Sequence, residues 1–327
     1  MRKYLVTGGT GFIGSNLVRR LVFQGKKVFL IVEKNSDFWR LQDIISKIKI
    51  LEVDLREFDK VKSWVKNIKP DIIFHLAAYG VFTSQRDQKY MFDTNFYGTV
   101  NLFNACKGIG FDCFINTGSS SEYGLKNSIM NENDFLEPVN DYGVSKVAGT
   151  MFCLKEALFD KLPVYTIRPF TTYGNFEAFG RLIPSIFINF LQNKQINLSL
   201  PHFVRDFIYV EDIVDFYLML CEKRPRTNFI FNAGTGVQST IKDVIEKVQS
   251  FLDKKMIVCW NKLMPRPCEP EVWQACINRA KTVVGWEPKY SLEQGLKESF
   301  KWFKKNLHLY VRMEKKFSRK NKIRITQ

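Results

Sequence analysis

Apolar positions along this chain follow two periods, and the switch between them repeats. KYLVTG reads as a strand, and FIGSNLVRRLVFQG beyond it spaces its apolar residues as a helix that Gly25 closes. KVFLIVE, IKILEVDL, DIIFHLAA and FDCFINTG are further strand-like runs, with the helical stretches FDKVKSWVKNIK and FYGTVNLFNACKG set between them. YGVSKVAGTMFCLKEALFD is another helix and PVYTIRPF another strand. Such alternation predicts an α/β fold, a doubly wound parallel sheet with helices on both faces.

Beyond Tyr173 the regularity lapses. RLIPSIFINFLQNKQ and IKDVIEKVQSFLDKK are helical, INLSL is a short strand, and the proline-rich NKLMPRPCEPEVW is loop. RDFIYVEDIVDFYLML and FIFNAG are expected to return to the main sheet. The expected division is therefore a main domain of residues 1–174, rejoined by 204–234, and a smaller C-terminal lobe of 175–203 and 235–307. Residues 308–327 form a basic tail.

Composition adds a few limits. With 327 residues, 45% hydrophobic and 25% charged, the chain suits a globular protein with a sizeable core. No apolar run is long enough to span a bilayer, and MRKY passes directly into LVTGG, so a cytoplasmic protein without a membrane is expected. The seven cysteines include no C-x-x-C and only three histidines accompany them, so no metal is expected. The net charge of +16 is concentrated at the end: from Lys301 onward ten Lys or Arg face one Glu. That tail is read as a solvated end rather than as a nucleic-acid contact.

Chemistry enters with TGGTGFIG, Thr7 to Gly14, between the first strand and the first helix. Gly8, Gly11 and Gly14 allow a tight turn, close backbone approach to a pyrophosphate, and close helix–strand packing, the signature of a Rossmann dinucleotide site. The helix N-terminus offers free N–H groups to phosphate. Glu33 is the acid at the end of the second strand, placed to accept from ribose hydroxyls, which favours NAD, with NADP as the alternative. Asp54 at the next strand end could accept from the adenine amino group. HLAA, His75 to Ala78, places small side chains where the chain passes the cofactor, and His75 itself is expected to be packed rather than catalytic.

DYGVSK places Tyr142 and Lys146 four residues apart at the start of a helix, on one face. A tyrosine titrates near 10, and a neighbouring cation would favour its phenolate. With these motifs together, the chain resembles an extended short-chain dehydrogenase/reductase of the nucleotide-sugar NAD-dependent epimerase/dehydratase family. TGGTGFIG, VDL, HLAA, NFYGTVNL, GSSSEYG, YGVSK, IRPFTTYG, RDFIYVEDI, FNAGTG and MPRPCEP occur in the family's order.

The resemblance implies that Ser119, Tyr142 and Lys146 are catalytic. It implies cofactor contacts from Gly8, Gly11, Phe12, Ile13, Gly14, Glu33, Asp54, Leu55, Leu76, Ala77, Ala78, Asn95, Tyr142, Lys146 and Pro169. Ser119, Ser120, Thr171, Arg205 and Arg266 would hold a nucleotide-diphosphate sugar, and a homodimer would form through helices near residues 95–107 and 145–158. Two positions depart from the pattern. Thr171 stands where relatives often carry asparagine, and relatives that prefer NAD usually place their acid at Val32. In dehydratases an acidic pair follows the catalytic Ser or Thr; here those positions are Ser120 and Ser121, with Glu122 one place late. Glu122 is read as a loop residue or a contact to a sugar hydroxyl. The expected reaction is 4-epimerisation, with a 4-keto-sugar reductase as the close alternative. A 4,6-dehydratase and a non-catalytic dinucleotide sensor stand behind these.

Overall fold

The computed structural model describes residues 1–82, 84–263 and 269–325, with side chains as far as residue 311. The main domain opens with β1 (Lys3–Thr7), α1 (Phe12–Phe23), β2 (Lys27–Val32), β3 (Lys49–Glu52), α2 (Phe58–Ile68) and β4 (Ile72–His75). Helix α3 (Gln88–Phe92) passes through a wide turn into α4 (Gly98–Lys107), followed by β5 (Cys113–Thr117), α5 (Asp141–Phe159) and β6 (Val164–Pro169). Then come β7 (Thr171–Tyr173), α6 (Leu182–Leu191), β8 (Ile196–Asn197), β9 (Val204–Tyr209), α7 (Val210–Lys223) and β10 (Ile230–Ala233). The chain closes with β11 (Gln238–Thr240), α8 (Ile241–Gln249), β12 (Val258–Cys259) and α9 (Leu292–Ile325).

Seven strands form one sheet in the order β10-β6-β5-β4-β1-β2-β3. Every pairing in it is parallel. The strands are nearly continuous apolar runs because both faces are covered. One face buries Val6, Leu30, Phe74 and Ile115 with residues of α1 and α7, and the other buries Leu5, Ile31, Ile73 and Phe114 with residues of α2, α4 and α5. The order reverses at β1, with β2 on one side and β4 on the other, and ligands of such sheets lie beyond the strand ends at that point. TGGTGFIG, VDL, HLAA, GSSSEYG, IRPFTTYG and FNAGTG all lie at or just beyond those ends, and part of MPRPCEP lies outside the described residues.

Two expectations need correction. RDFIYV does not join the main sheet: β9 pairs with β7 and β11 in a separate three-stranded sheet, while β10 returns as expected. The helix after β9, α7, is what packs on the main sheet. The basic tail does not begin as a free end either. Helix α9 continues to Ile325 across a non-helical Asn306, and Tyr310 is fully buried. Its ring packs on Trp39 at 5.6 Å and its hydroxyl donates to the Glu177 carbonyl at 2.7 Å, so the lobe's core extends past residue 307. No helix among the described residues is long and apolar enough to cross a membrane.

Candidate active site

The glycine turn is built for close approach. Gly8 has φ of +68°, and a Cβ there would sit 2.4 Å from the Leu76 carbonyl carbon. A Cβ on Gly14 would lie 2.3 Å from the Gly8 oxygen. The Gly11 N–H donates to that same oxygen at 3.0 Å, closing the turn. No side chain caps α1, so Phe12, Ile13 and Gly14 begin a twelve-residue helix whose positive end faces the turn. Leu76, Ala77 and Ala78 leave β4 alongside it, the Leu76 N–H bonded to the Thr7 carbonyl at 3.1 Å. These residues fit a dinucleotide pyrophosphate.

At the adenosine end the acids are more engaged than expected. Glu33 is exposed just past β2, accepts from the Tyr90 hydroxyl, and lies 3.8 Å from Arg56. Asp54 is forked by Arg56, whose Nε donates to both carboxylate oxygens at 3.0 Å, which pulls the Asp54 carboxyl below its ordinary range. Asp54 is thus paired with Arg56, whose planar guanidinium two residues away matches it in geometry. Leu55 is buried in the core and its carbonyl accepts from Asn101 at 2.9 Å. Arg40 is half-buried and donates to the carbonyls of Thr10 and Phe176 at 3.1 and 2.8 Å. His75 is packed as expected, with Nδ1 2.7 Å from Thr7 Oγ1 and Nε2 2.8 Å from Thr99 Oγ1.

Asn95 is fully buried and its polar atoms are engaged within the protein. Its amide donates to the Tyr79 carbonyl at 2.8 Å and to Ser145 Oγ at 2.9 Å, and its oxygen accepts from the Tyr79 N–H at 2.7 Å. Ser145 Oγ in turn donates to the Tyr142 carbonyl at 2.8 Å. Asn95 thus acts through the catalytic helix and the turn after β4.

Tyr142 and Lys146 occupy the first turns of α5, which Asn140 caps by accepting from the Gly143 N–H at 2.8 Å. Burial pushes the Tyr142 phenol up to about 12. Nearby Ser119 and the charge of Arg181 pull the other way, while Glu122 opposes ionisation. Arg181 is one cation that favours the phenolate. Lys146 is buried, which draws its ammonium down to about 8 against the attraction of Glu122. Lys146 is therefore mostly charged at pH 7.

Ser119, two residues past β5, is extended and caps the short turn Ser120–Glu122, accepting from the Ser121 N–H at 3.1 Å. Ser120 is buried in that turn. Glu122 is neither a loop residue nor an exposed sugar contact. It is wholly buried, accepts from the Ser119 N–H at 2.8 Å and Thr150 Oγ1 at 2.9 Å, and binds Arg168 Nε at 2.8 Å. Arg168 was the available signal: a charged residue inside the apolar strand VYTIRP requires a buried counter-ion.

On the substrate side, Pro169 is buried at the end of β6, and Thr171 starts β7 opposite Phe207. Arg205 on β9 donates to Glu269 at 2.5 Å and its guanidinium lies 5.8 Å from the Trp273 ring centre. It thereby holds the chain at the far end of the loop that contains Arg266, which lies outside the described residues. Arg181, not anticipated, donates to the Val81 carbonyl at 2.7 Å and lies over the Phe82 ring, joining the two loops that flank Tyr142. A cleft of about 1500 Å³ beside α5 takes in Arg168 and Glu132 but not Ser119, Tyr142 or Lys146. Among the described residues no group of His, Cys, Asp or Glu converges as for a metal.

Comparison with known proteins agrees with this geometry. The family model for GDP-mannose 4,6 dehydratase matches residues 5–299. A UDP-glucuronate 4-epimerase of Thermodesulfobacterium geofontis is 28% identical, over 94% of this chain and 98% of that protein. A dTDP-D-glucose 4,6-dehydratase of Mus musculus is 26% identical, over 96% of this chain and 92% of its own length. Among solved structures, UDP-glucuronic acid 4-epimerase from Bacillus cereus, with UDP-glucuronic acid and NAD, superimposes with a TM-score of 0.79 at 27% identity. That match covers 93% of this chain and 99% of the other.

Proposed function

We propose, on the footing that this chain belongs to the GDP-mannose 4,6 dehydratase family, that it is an NAD-dependent nucleotide-sugar 4-epimerase. The observation that carries the reading is that Ser119, just past β5, comes close to Tyr142, with buried Lys146 one turn further along the same helix α5. Dehydration is disfavoured because Ser120 and Ser121 stand where an acid and a base would be needed to expel a hydroxyl.

NAD, held over Gly8, Gly11 and Gly14, supplies hydride exchange at C4 when bound. The protein's share is proton handling and orientation. Tyr142 Oη takes the proton of the C4 hydroxyl and later returns it, Ser119 Oγ shares that hydrogen bond, and the Lys146 ammonium binds ribose hydroxyls. A phenol that starts near 12 needs positive charge nearby to act as base, and Arg181 supplies part of it. Arg205 and Arg266 are proposed to hold the diphosphate, and Thr171 to border it. Pairing of two copies through α4 and α5 is proposed as well, supported by exposed Val144, Met151 and Leu158 at seven-residue spacing on α5. Cytoplasmic placement and a part in polysaccharide synthesis complete the proposal.

Mass spectrometry of the purified protein after denaturation tests the reading. One NAD per chain supports an epimerase. Protein that carries no nucleotide and exchanges NADPH freely favours the 4-keto-sugar reductase instead.

A further inference from the structure

Glu122 has three protein partners, and each belongs to a different part of the site. Its Oε1 accepts the Ser119 N–H at 2.8 Å and Thr150 Oγ1 at 2.9 Å; its Oε2 accepts Arg168 Nε at 2.8 Å. Glu122 and Arg168 are both essentially without solvent exposure. Arg168 continues to the Tyr123 hydroxyl at 3.0 Å, and Tyr123 donates to Asn232 Oδ1 at 2.6 Å. Asn232 is held by Glu132 through its N–H at 2.9 Å. Ser119 therefore stands at one end of a buried polar chain that crosses from β5 through β6 to β10. Buried networks of this kind hold one geometry when every member is satisfied.

An ion pair of this sort is a costly way to gain stability, since two ions lose their hydration and apolar residues of similar volume would serve as well or better. What an apolar pair could not do is accept from the backbone at Ser119 or place negative charge beside Lys146. We propose that Glu122 is a positioning residue for this site: its carboxylate fixes the chain at Ser119 and, through Thr150, four residues after Lys146 on α5, sets negative charge on the helix face that carries Lys146. This rests on the reading of Ser119, Tyr142 and Lys146 as the working set, but not on which reaction they perform.

The charges that face this set come from several elements. Glu122 acts on both Tyr142 and Lys146; Arg181, at the start of α6, acts on Tyr142; Tyr217 of α7 and Tyr142 influence each other. His75 on β4 and Cys153 on α5 lie near Lys146. Of these groups, Glu122 is the one that favours the charged form of Lys146 most strongly. Removing its charge should lower the pH at which Lys146 titrates, so Lys146 would lose its proton closer to neutrality.

The test uses the full chain labelled with [ε-¹³C]lysine, with the Lys146 resonance assigned by its loss in Lys146→Arg. No substrate is needed, so failure of the epimerase reading leaves the test intact. Glu122→Gln keeps an oxygen for Ser119 and Thr150 but strands Arg168. The double variant Glu122→Gln/Arg168→Met removes both charges and keeps the fold testable by circular dichroism. The expected result is a folded double variant in which Lys146 titrates at lower pH and turnover falls about 10- to 100-fold, as for one lost charge-assisted hydrogen bond. Unchanged Lys146 titration in the folded variant would overturn the proposal, whether or not turnover falls. So would a double variant that does not fold, since the pair would then be a structural element alone.

Discussion

Asn95 Nδ2 donates to Ser145 Oγ at 2.9 Å, and through Ser145 it holds the carbonyl of Tyr142. Asn95, the first residue of NFYGTVNL, thus ties the turn before α4 to α5, the helix that carries Tyr142. Replacing Asn95 by Ala leaves the Tyr79 backbone groups and Ser145 without their partner in a buried place. The expected cost is about 1–3 kcal/mol of stability, with weaker NAD retention because the Tyr79 turn loosens. Urea unfolding and the nucleotide content of the purified variant check this together.

Tyr142→Phe removes one oxygen and leaves the helix intact. Turnover should fall by roughly 10²–10⁴-fold, the range for loss of a positioned acid–base group. Retained NAD should be unchanged, because the glycine turn and α1 are untouched. A variant that loses cofactor and turnover together would argue that Tyr142 is structural.

His75 makes the fold sensitive to acid. The Thr99 hydroxyl already donates to the Asn95 carbonyl at 2.7 Å, so Nε2 carries the proton toward Thr99 and Nδ1 accepts from Thr7. Burial draws the folded-state value down to about 3 from an ordinary 6.5. The unfolded chain therefore binds the proton first. The contribution of His75 is complete above pH 6.5 and is lost as pH falls toward 3, at about 1.4 kcal/mol per pH unit. His75→Gln should reduce the slope of stability against pH by up to one proton in that window, measured by urea titration at several pH values.

Glu177 has the opposite sense. Burial pushes its carboxyl up to about 8, against the pull of Arg181, Arg40 and a long bond of 3.4 Å from the Gly174 N–H. The folded protein prefers it protonated, so its burial costs stability increasingly as pH rises from its ordinary 4.5 toward 8. Glu177→Gln should raise the melting temperature at pH 8, by roughly 1–3 kcal/mol of stability, and change nothing at pH 4. Calorimetry at the two pH values decides it.

The parts legible in the sequence are those set by neighbours along the chain. TGGTGFIG declares its turn through glycines at fixed spacing between a strand and a helix, and Tyr142 and Lys146 share one face because a helix repeats every 3.6 residues. The main sheet follows from apolar strands covered on both faces. What stays hidden depends on partners far apart in sequence. Glu122 looks like a loop acid until Arg168, 46 residues later, is seen beside it. That Asn95 also ties the turn after β4 to α5 shows only when Ser145, 50 residues later, is seen to accept from its amide. RDFIYV has the apolar character of a main-sheet strand, and only its pairing with Gln238–Thr240 and Thr171–Tyr173 sends it to the smaller sheet.

The central claim is inversion at C4 without net redox change, and ¹H NMR of a nucleotide-sugar reaction tests it most directly. The purified protein is incubated with UDP-glucose or UDP-glucuronic acid, the sugars of its structural relatives, without added NADH or NADPH. The account predicts conversion to the C4 epimer until an equilibrium mixture is reached, with no nicotinamide consumed. Formation of a 4-keto-6-deoxy product would contradict it, as would reduction of a 4-keto sugar only when NADPH is supplied.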